Sequence, residues 1–448
     1  MPRPAKRIAL DLWMNGERVG VWRVTARGEH ELHYDPAWVD SPKGRPISLS
    51  MPLRPAEPYR GQRVRNFFEN LLPDNASIRR RLARRFGTTA DAMDLLREIG
   101  RDCVGAIQLL PEGATPEDIR RIDAAPLSER EIEAHLARVP SEDRFAPGEA
   151  EDFRISIAGN QEKTALLRHQ GRWCRPHGST PSSHIFKLPL GVTARGLDLT
   201  TSVENEWLCM RLLDAFEVRA AKAEILAFGK QKVLALERFD RMRSREGWLI
   251  RLPQEDFAQA AGVHPDQKYE EHGGPGVRWI LDQLLGSVTP AQDRADFFRT
   301  QILFWMLAAI DGHAKNFSVF IQERGEFRLT PRYDVLSAYP VMGRKAGKIQ
   351  VQKAKMAMAV WGKNRHYRWS DIRREHFLKT ASDCKVPAAD RIVDELIERT
   401  PAAIDEAGKK LPPKFAMGVL DAIFEGLHEA AKNLARPVNN RTSSPHGP

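Results

Sequence analysis

The segment that most constrains the fold is a short polar island between two apolar runs. Residues 302–310 and 317–321 are largely apolar, and Asp311, His313, Lys315 and Asn316 lie between them. Two segments that favour burial therefore hold a carboxylate, an imidazole, an ammonium and a carboxamide close together. Asp311 and Asn316 are five residues apart. That is the spacing of the base and the metal-binding Asn in a phosphotransferase catalytic loop.

Upstream of the island, two lysines lie where a phosphate could bind. A loop of small residues at 156–163 ends in Lys163, and its backbone could approach an anion, although an ordinary hairpin would have a similar sequence. Lys187 interrupts an apolar strand. It fits either a phosphate-binding lysine or an edge lysine whose ammonium reaches solvent.

Two further segments and one acid complete the set of candidates. The predicted helix at 202–216 carries Glu204 and Glu206, and either could pair with the strand lysine, although acids are also common at helix N-termini. The strand that ends at 237–239 could bind adenine through its backbone, or it could simply have a charged end. Asp334 follows Asn316 by eighteen residues and is placed as a metal-binding acid would be.

The order of these parts points to phosphoryl transfer from ATP. A phosphate loop, a strand lysine, an acid-bearing helix, a strand end, a base and two oxygen ligands for Mg²⁺ follow one another along the chain. Such a reaction needs positioning and charge stabilisation more than covalent chemistry, so these residue types suffice.

The bulk properties limit the remaining function classes. The net charge is +10, and residues 344–379 hold eleven Lys and Arg against two acids. This basic stretch fits either nucleic-acid contact or a solvated face. The longest apolar run, Ile302 to Ile310, is about half the length of a membrane span. We therefore expect a cytoplasmic protein without a membrane segment.

The predicted domains are 1–145 (α/β), 146–250 (β-rich, nucleotide-binding), 251–435 (helical, catalytic) and a disordered tail at 436–448.

The motifs resemble those of the HipA family, the serine/threonine-kinase toxins of bacterial HipBA toxin–antitoxin modules. The matching segments are WMNGERVG (13–20), NFFENLLPD (66–74), EIGRDCVGA (98–106), FRIS (153–156), LPQED (252–256), GGPG (273–276) and DGHAKNFS (311–318). The resemblance implies an α+β, two-lobed, protein-kinase-like fold, of the kind shared by HipA and the PI3/4-kinases. Its N-terminal part would contain the sheets, and its C-terminal lobe would be mostly helical.

The resemblance also implies residue roles. Asp311 would be the catalytic base, and Asn316 and Asp334 would ligate Mg²⁺. Lys187 and Lys163 would contact ATP phosphates. Glu237 and Phe239 would hold adenine through their backbone, and Gln254 and His313 would line the nucleotide site. Ser156 matches the family's autophosphorylated serine, whose phosphate would expel the phosphate loop and inactivate the enzyme.

The implied partners are glutamate–tRNA ligase as the protein substrate and a HipB-like helix-turn-helix antitoxin. With that antitoxin the chain would repress its operon, and phosphorylation of the ligase would stall translation and promote growth arrest and persistence. Lys363, Arg365 and Arg368 would contact DNA phosphates. The sequence departs from the family pattern at two places. Asn160 replaces an alanine, which concerns the geometry of the phosphate loop. The activation segment at 191–199 is short, which concerns the choice of protein substrate. The alternatives are a catalytically silent DNA-binding co-repressor and a small-molecule kinase.

Overall fold

The N-terminal unit is an antiparallel sheet covered by helices. The computed structural model describes residues 8–55, 57–141 and 155–436. Asn15-Gly16 is a sequence that favours a hairpin turn, and both residues have positive φ where they join the first two strands. Five strands form the sheet in the order β4-β3-β2-β1-β6. The elements of this unit are β1 (Ile8–Met14), β2 (Glu17–Val24), β3 (His30–Tyr34), α1 (Pro36–Asp40), β4 (Tyr59–Arg60), α2 (Gln62–Glu69), α3 (Ala76–Phe86), α4 (Ala92–Ile99), β5 (Asp102–Cys103) and β6 (Ile107–Pro111).

The second unit is a six-stranded antiparallel sheet between two helices, in the strand order β14-β15-β11-β9-β10-β7. Its elements are β7 (Ala124–Pro126), α5 (Glu129–Arg138), β8 (Ile155–Ser156), β9 (Lys163–His169), β10 (Arg172–Pro176), β11 (His184–Lys187), β12 (Gly191–Val192), β13 (Asp198–Leu199), α6 (Ser202–Ala215), β14 (Ala223–Phe228), β15 (Gln231–Glu237), β16 (Arg241–Arg243) and β17 (Leu249–Arg251). The predicted boundary near 145 lies outside the described residues. The elements β7 and α5 precede that boundary and pack on this second sheet.

Alternation along β15 shows how this sheet is covered. Val233 and Ala235 share a core with α5, whereas Leu234 and Leu236 share a core with α6. Successive strand residues point to opposite faces, so each helix covers one face of the sheet.

The third unit is mostly helical, as predicted. Its elements are β18 (Gln254–Asp256), α7 (Phe257–Ala260), α8 (Val277–Gln283), α9 (Pro290–Met306), β19 (Ser318–Ile321), β20 (Phe327–Leu329), β21 (Lys355–Trp361), β22 (Arg365–Arg368), α10 (Arg374–Asp383), α11 (Ala389–Gly408) and α12 (Met417–Ala435). The architecture is therefore α+β, with a sheet-rich N-terminal part and a helical C-terminal lobe. Within the part of the chain that the structure describes, no helix is both long and apolar enough to cross a membrane.

The sequence pattern of this lobe predicts helices at 254–262, 275–286, 290–310, 371–383, 387–398, 400–408 and 415–435 and a strand at 348–353. The structure differs from this prediction at three places. Residues 254–256 form a strand rather than the start of a helix, because they pair with β19. The two helices predicted at 387–398 and 400–408 are one helix, α11, which continues through Pro401. Leu396 and Ala403, on either side of that proline, are both fully buried, so packing favours a continuous helix. The strand predicted at 348–353 lies instead at 355–361.

The polar island lies on the turn between α9 and β19. Ala308 has a φ of +48°, which ends the helix, and the chain then forms a 3₁₀ turn at Ala314–Asn316. A Cβ at Gly312 would overlap the ring of Phe304, so only glycine allows this close approach. The two buried runs therefore anchor a tight turn that carries the candidate catalytic residues.

Candidate active site

A cavity of about 230 Å³ lies where the three units meet. Most of the predicted site residues line it, namely Lys163, Lys187, Glu237, Phe239, Gln254, Asp311, His313 and Asp334. Asn316 adjoins it through a hydrogen bond to Asp334. The fold thus brings together residues that lie up to 171 positions apart in the sequence, from Lys163 to Asp334.

Lys187 is buried between two carboxylates. Its Nζ lies 2.7 Å from Glu206 Oε1 and 2.6 Å from Asp334 Oδ1. The preceding residue, Phe186, packs on the α5 side of the sheet, so Lys187 faces α6 and the cavity. Burial alone would lower the pKa of this lysine, but Asp334 and Glu206 raise it overall. The lysine is therefore a fixed positive charge.

The structure shows which of the two helix acids pairs with Lys187, a choice that the sequence left open. Glu206 pairs with Lys187, whereas Glu204 pairs with Lys232 on β15. Residues two apart on a helix point in very different directions, so only one of them can face the cavity. Burial raises the pKa of Glu206, although Lys187 opposes that effect.

Asp334 and Asn316 form the oxygen-rich end of the cavity. The amide nitrogen of Asn316 donates to Asp334 Oδ2 at 3.2 Å, and its amide oxygen accepts from the backbone N–H of His313 at 3.0 Å. Asp334 has a φ of +60°, a left-handed conformation that Asp tolerates better than most residues. Burial alone would raise the pKa of the Asp334 carboxyl, but Lys187 and Lys163 bring it well below its usual range.

Asp311 is exposed, and one of its carboxylate oxygens accepts a hydrogen bond from a neighbouring tyrosine. Tyr269 donates its hydroxyl to Asp311 Oδ1 at 2.6 Å. The Tyr269 ring also lies 5.1 Å from the ring of His313, measured between centroids. Burial lowers the pKa of His313 to about 4, so its imidazole is neutral near pH 7. No spacing in the sequence points to Tyr269, which lies 42 residues before its partner.

Lys163 lies at the end of the candidate phosphate loop, residues 156–163. Its Nζ donates to the carbonyl oxygen of Ala158 at 2.6 Å. Burial and the neighbouring Lys187 lower its pKa to about 8. Gly159 has a φ of +111°, and a Cβ there would lie 2.7 Å from the Lys163 ammonium. The glycine therefore keeps open a space between the loop backbone and the lysine.

Ser156 lies beneath this loop rather than in the cavity. Its side chain is fully buried, and its Oγ donates to the carbonyl oxygen of Leu71 at 2.7 Å. The strand β8, which carries Ser156, pairs in parallel with β5 of the N-terminal unit. A phosphate could not be accommodated in that position without moving the strand.

The opposite end of the cavity is apolar and aromatic. The ring centroid of Phe239 lies 5.6 Å from that of Tyr333 and 5.9 Å from that of Phe320. Gln254 Oε1 is buried and has no hydrogen-bond partner among the described residues. Val104 of the N-terminal unit adds apolar surface. A flat heteroaromatic ring with a donor for Gln254 would fit this end.

Asp74 is a site residue that sequence reasoning missed. It lines the cavity from the N-terminal unit, and its carboxylate lies 2.8 Å from Lys268 Nζ and 2.6 Å from Lys315 Nζ. Burial alone would raise its pKa, but the two lysines lower it to about 2. Its partners lie 194 and 241 residues away, so no local pattern could have identified the cluster.

The DNA-contact candidates lie elsewhere on the surface. Lys363, Arg365 and Arg368 are all exposed, on the hairpin formed by β21 and β22. The guanidinium of Arg365 lies 5.0 Å from the ring centroid of Trp361. The structure therefore presents these three charges together on one hairpin.

Comparison with known proteins gives a consistent family relationship. A family model described as the HipA-like C-terminal domain matches residues 155–404, and one described as the HipA N-terminal domain matches residues 10–110. The chain is 34% identical over 343 residues to the "Putative kinase Y4mE" of Sinorhizobium fredii, covering 75% of this chain and 79% of that protein. It is 28% identical over 349 residues to the serine/threonine-protein kinase toxin HipA of Shewanella oneidensis, covering 74% of this chain and 76% of that protein.

The solved structures include one of the same fold. It is the HipA chain of the Shewanella oneidensis complex of HipA, HipB and operator DNA, with a TM-score of 0.76 and 22% sequence identity. The match covers 95% of this chain and 97% of that chain. The two-lobed, kinase-like architecture therefore extends over nearly the whole molecule.

Proposed function

The chain belongs to the HipA family of kinases, and on that premise we propose that it is an ATP-dependent serine/threonine protein kinase toxin. The observation that carries the proposal is the cluster of Lys187, Glu206, Asp334 and Asn316 beside the exposed Asp311. A buried lysine between two acids, next to an accessible carboxylate, fits the transfer of a γ-phosphate to a protein hydroxyl.

The cavity residues fit ATP with Mg²⁺. Asp334 supplies carboxylate oxygens, and the amide oxygen of Asn316 has a second lone pair, so both are suitable ligands for a hard cation. The space between Gly159 and Lys163 suits phosphate oxygens, and the unpaired Gln254 Oε1 can accept a hydrogen bond from adenine. When bound, Mg²⁺ would supply positive charge to the terminal phosphates.

The residues around the reacting atoms have separable tasks. Asp311 Oδ1 accepts from Tyr269, so its other oxygen is the one available to take the acceptor hydroxyl's proton. Lys187 and Lys163 would stabilise the negative charge on the phosphates. His313 is neutral near pH 7, so it would line the site without adding charge.

Phosphorylation at Ser156 would switch the enzyme off. Ser156 Oγ is buried against Leu71, and a phosphate would add about two negative charges there. The strand that carries the serine would have to leave its place beside β5, and the phosphate loop that follows would move with it. Self-inactivation by this route is supported by the tight packing around the serine.

The proposed partners follow from the family. A HipB-like antitoxin would bind the chain, and the complex would repress its operon through DNA phosphate contacts by Lys363, Arg365 and Arg368. The exposure of these residues on one hairpin supports that role. Such contacts are salt-dependent and not sequence-specific. Glutamate–tRNA ligase is the proposed protein substrate.

The test is phosphate transfer by the purified chain. Wild type with Mg-ATP should phosphorylate Ser156 and a protein acceptor, detected by mass spectrometry. Asp311→Asn should still bind ATP but transfer phosphate roughly 10²–10⁴-fold more slowly, because the base is lost. Asp421→Asn, an exposed acid on α12, is the matched control and should behave as wild type. Equal transfer by Asp311→Asn would contradict the proposal. Absent ATP binding with intact operator binding would instead favour a silent co-repressor.

A further inference from the structure

A second cavity opens on the other side of Asp311. Its volume is about 460 Å³, and Asp311 and Asp334 line both cavities. None of the residues assigned above to adenine or to the phosphate loop lines it. The two cavities therefore approach the same pair of carboxylates from different directions.

The walls of the second cavity are mainly apolar. Leu197 and Leu199 come from the hairpin of β12 and β13, while Val341, Ile349 and Met356 come from the helical lobe. These leucines pack in a cluster with Val341 and Ile349, so the short hairpin is docked on the lobe. Gly196 and Gly347 make this docking close, since a Cβ on Gly347 would lie 2.5 Å from the Gly196 carbonyl oxygen.

The two faces of the hairpin of β12 and β13 differ. Val192 pairs with Asp198 across the hairpin, so their side chains lie on the face opposite to Leu197 and Leu199. The two leucines therefore face the cavity, whereas the exposed Val192 faces away from it. Asp311, in the cavity wall, is itself exposed, so a chain segment can reach it while placing one side chain inside the cavity.

The rim of the mouth is strongly basic. Arg195 lies at the hairpin tip, and the facing segment of the lobe contributes the exposed residues Arg344, Lys345, Lys348, Lys353 and Lys355. Among the described residues, Asp198 interacts electrostatically with Lys348, and Glu271 is paired with Lys355 at 2.6 Å. Such a field favours carboxylates on the bound segment.

We propose that this second cavity, which we call the acceptor cavity, binds the protein segment that carries the acceptor hydroxyl. The segment it selects is acidic and has an aliphatic residue beside the acceptor serine or threonine. The aliphatic side chain enters the cavity, and the carboxylates lie along the basic rim. This inference rests on the kinase function proposed above and specifies its substrate class.

The geometry accounts for the transfer step. With the aliphatic neighbour in the acceptor cavity, the hydroxyl lies against Asp311, between the two cavities. Its oxygen bonds to the γ-phosphorus as the bond from that phosphorus to the β–γ bridging oxygen breaks. The hydroxyl proton passes to Asp311, and ADP leaves with the electron pair of the broken bond.

The chain's own sequence supplies a probe peptide. Residues 149–159 contain Glu149, Glu151 and Asp152, followed by Ser156 between Ile155 and Ile157. This peptide has both features that the acceptor cavity would select. Replacing both isoleucines by Asn removes the aliphatic neighbours, and replacing the three acids by Gln removes the carboxylates.

The experiment measures kcat/KM for these three peptides with the full-length kinase, and ATP affinity in parallel. We expect kcat/KM for each altered peptide to be lower by roughly tenfold or more. Burial of one aliphatic side chain, or pairing of several charges, contributes about that much to binding. In the enzyme, Arg344→Glu with Lys345→Glu should lower kcat/KM for the acidic peptide and restore activity on a lysine-substituted one. ATP affinity should be unchanged.

The matched control is Lys410→Glu with Lys414→Glu. It makes the same charge change at exposed positions between α11 and α12, and it should leave peptide phosphorylation unchanged. Equal phosphorylation of all three peptides, or an equal loss in both double variants, would overturn the assignment of the acceptor cavity. Failure of the wild type to bind ATP or to phosphorylate any protein or peptide would instead overturn the proposed kinase function.

Discussion

At the scale of single residues, Lys187 determines the electrostatics of the site. It is the shared cation of Glu206 and Asp334, and both ion-pair distances are below 3 Å. Breaking a buried ion pair by removing one partner leaves an uncompensated charge, which costs much more than losing a surface pair. The same lysine therefore contributes to stability before any ligand binds.

Replacing Lys187 by Met should lower the free energy of unfolding by about 3–5 kcal/mol and abolish phosphate transfer, because the buried Glu206 would lose its counter-charge beside Asp334. Lys432→Met, which breaks an exposed pair with Glu429, should cost less than about 1 kcal/mol. Urea unfolding followed by circular dichroism measures both. A similar loss in the two variants would show that the Lys187 pairs contribute little.

Lys163 should make ATP binding sensitive to pH. Its pKa in the folded, free chain is about 8, below the ordinary lysine value, so its positive charge is lost as pH rises through about 8. ATP affinity should therefore fall between roughly pH 7 and 9. Lys163→Arg keeps its charge over that range and should show a flatter profile. A fluorescent ATP analogue titrated at several pH values tests this, and identical profiles would contradict it.

The residue-level predictions from sequence depended on local spacing. Asp311, Asn316 and Lys187 could be identified because they interrupt apolar runs in a distinctive way. The choice between Glu204 and Glu206 could not be made, because it depends on which helix face meets the sheet. Tyr269 and Asp74 were missed because each reaches the site through a contact of long sequence separation.

At the scale of elements, two short segments orient the reacting groups. The turn from α9 to β19 carries Asp311 and Asn316, and the hairpin of β12 and β13 forms one wall of the acceptor cavity. Neither has much regular structure of its own. Each depends on close packing against the helical lobe.

Gly347→Ala should detach the hairpin of β12 and β13. The residue has a φ of +73°, and its new Cβ would meet the Gly196 carbonyl. The backbone strain alone is worth about 1–2 kcal/mol. The KM for a protein acceptor should rise several-fold, with ATP affinity unchanged. Gly343→Ala is the control, because its Cβ would come no closer than 3.4 Å to its nearest neighbour, the flexible Lys348 side chain. Steady-state kinetics would separate the two variants, and equal KM values would exclude this role for the hairpin.

The sequence predicted the type of most long elements but not several boundaries. Amphipathic periodicity indicated the helices from α8 to α12. It could not show that α11 continues through Pro401, since that depends on buried residues on both sides of the proline. Residues 254–256 carried a helical pattern, but pairing with a strand more than sixty residues away decided their structure.

At the scale of the whole molecule, the N-terminal unit is part of the candidate active site. Asp74 bridges Lys268 and Lys315 of the helical lobe, and Val104 lines the same cavity as Lys187 and Asp334. Asp102, also from the N-terminal unit, pairs with Arg238 and Arg241 just beyond the end of β15. The unit therefore fixes the orientation of both lobes.

Asp74→Asn should uncouple the N-terminal unit from the catalytic turn. Two buried lysines would lose their counter-charge, which should lower the free energy of unfolding by about 3–5 kcal/mol and reduce kcat. The pKa of Asp74 is lowered to about 2, so its contribution is present above pH 4 and is lost as pH falls through about 2. The variant should therefore lack the loss of stability that the wild type shows as pH falls through about 2. Unchanged stability and acid profile would contradict the role of Asp74.

The position of Asp311 between two cavities has a consequence for the order of binding. The two cavities share Asp311 and Asp334 but differ in most of their other lining residues, so nucleotide and acceptor need not compete for the same space. In a kinase built in this way, either the nucleotide or the acceptor protein can bind first to form the ternary complex. ADP can then exchange while the modified protein is still bound. We therefore expect ADP to compete with ATP but not with the acceptor.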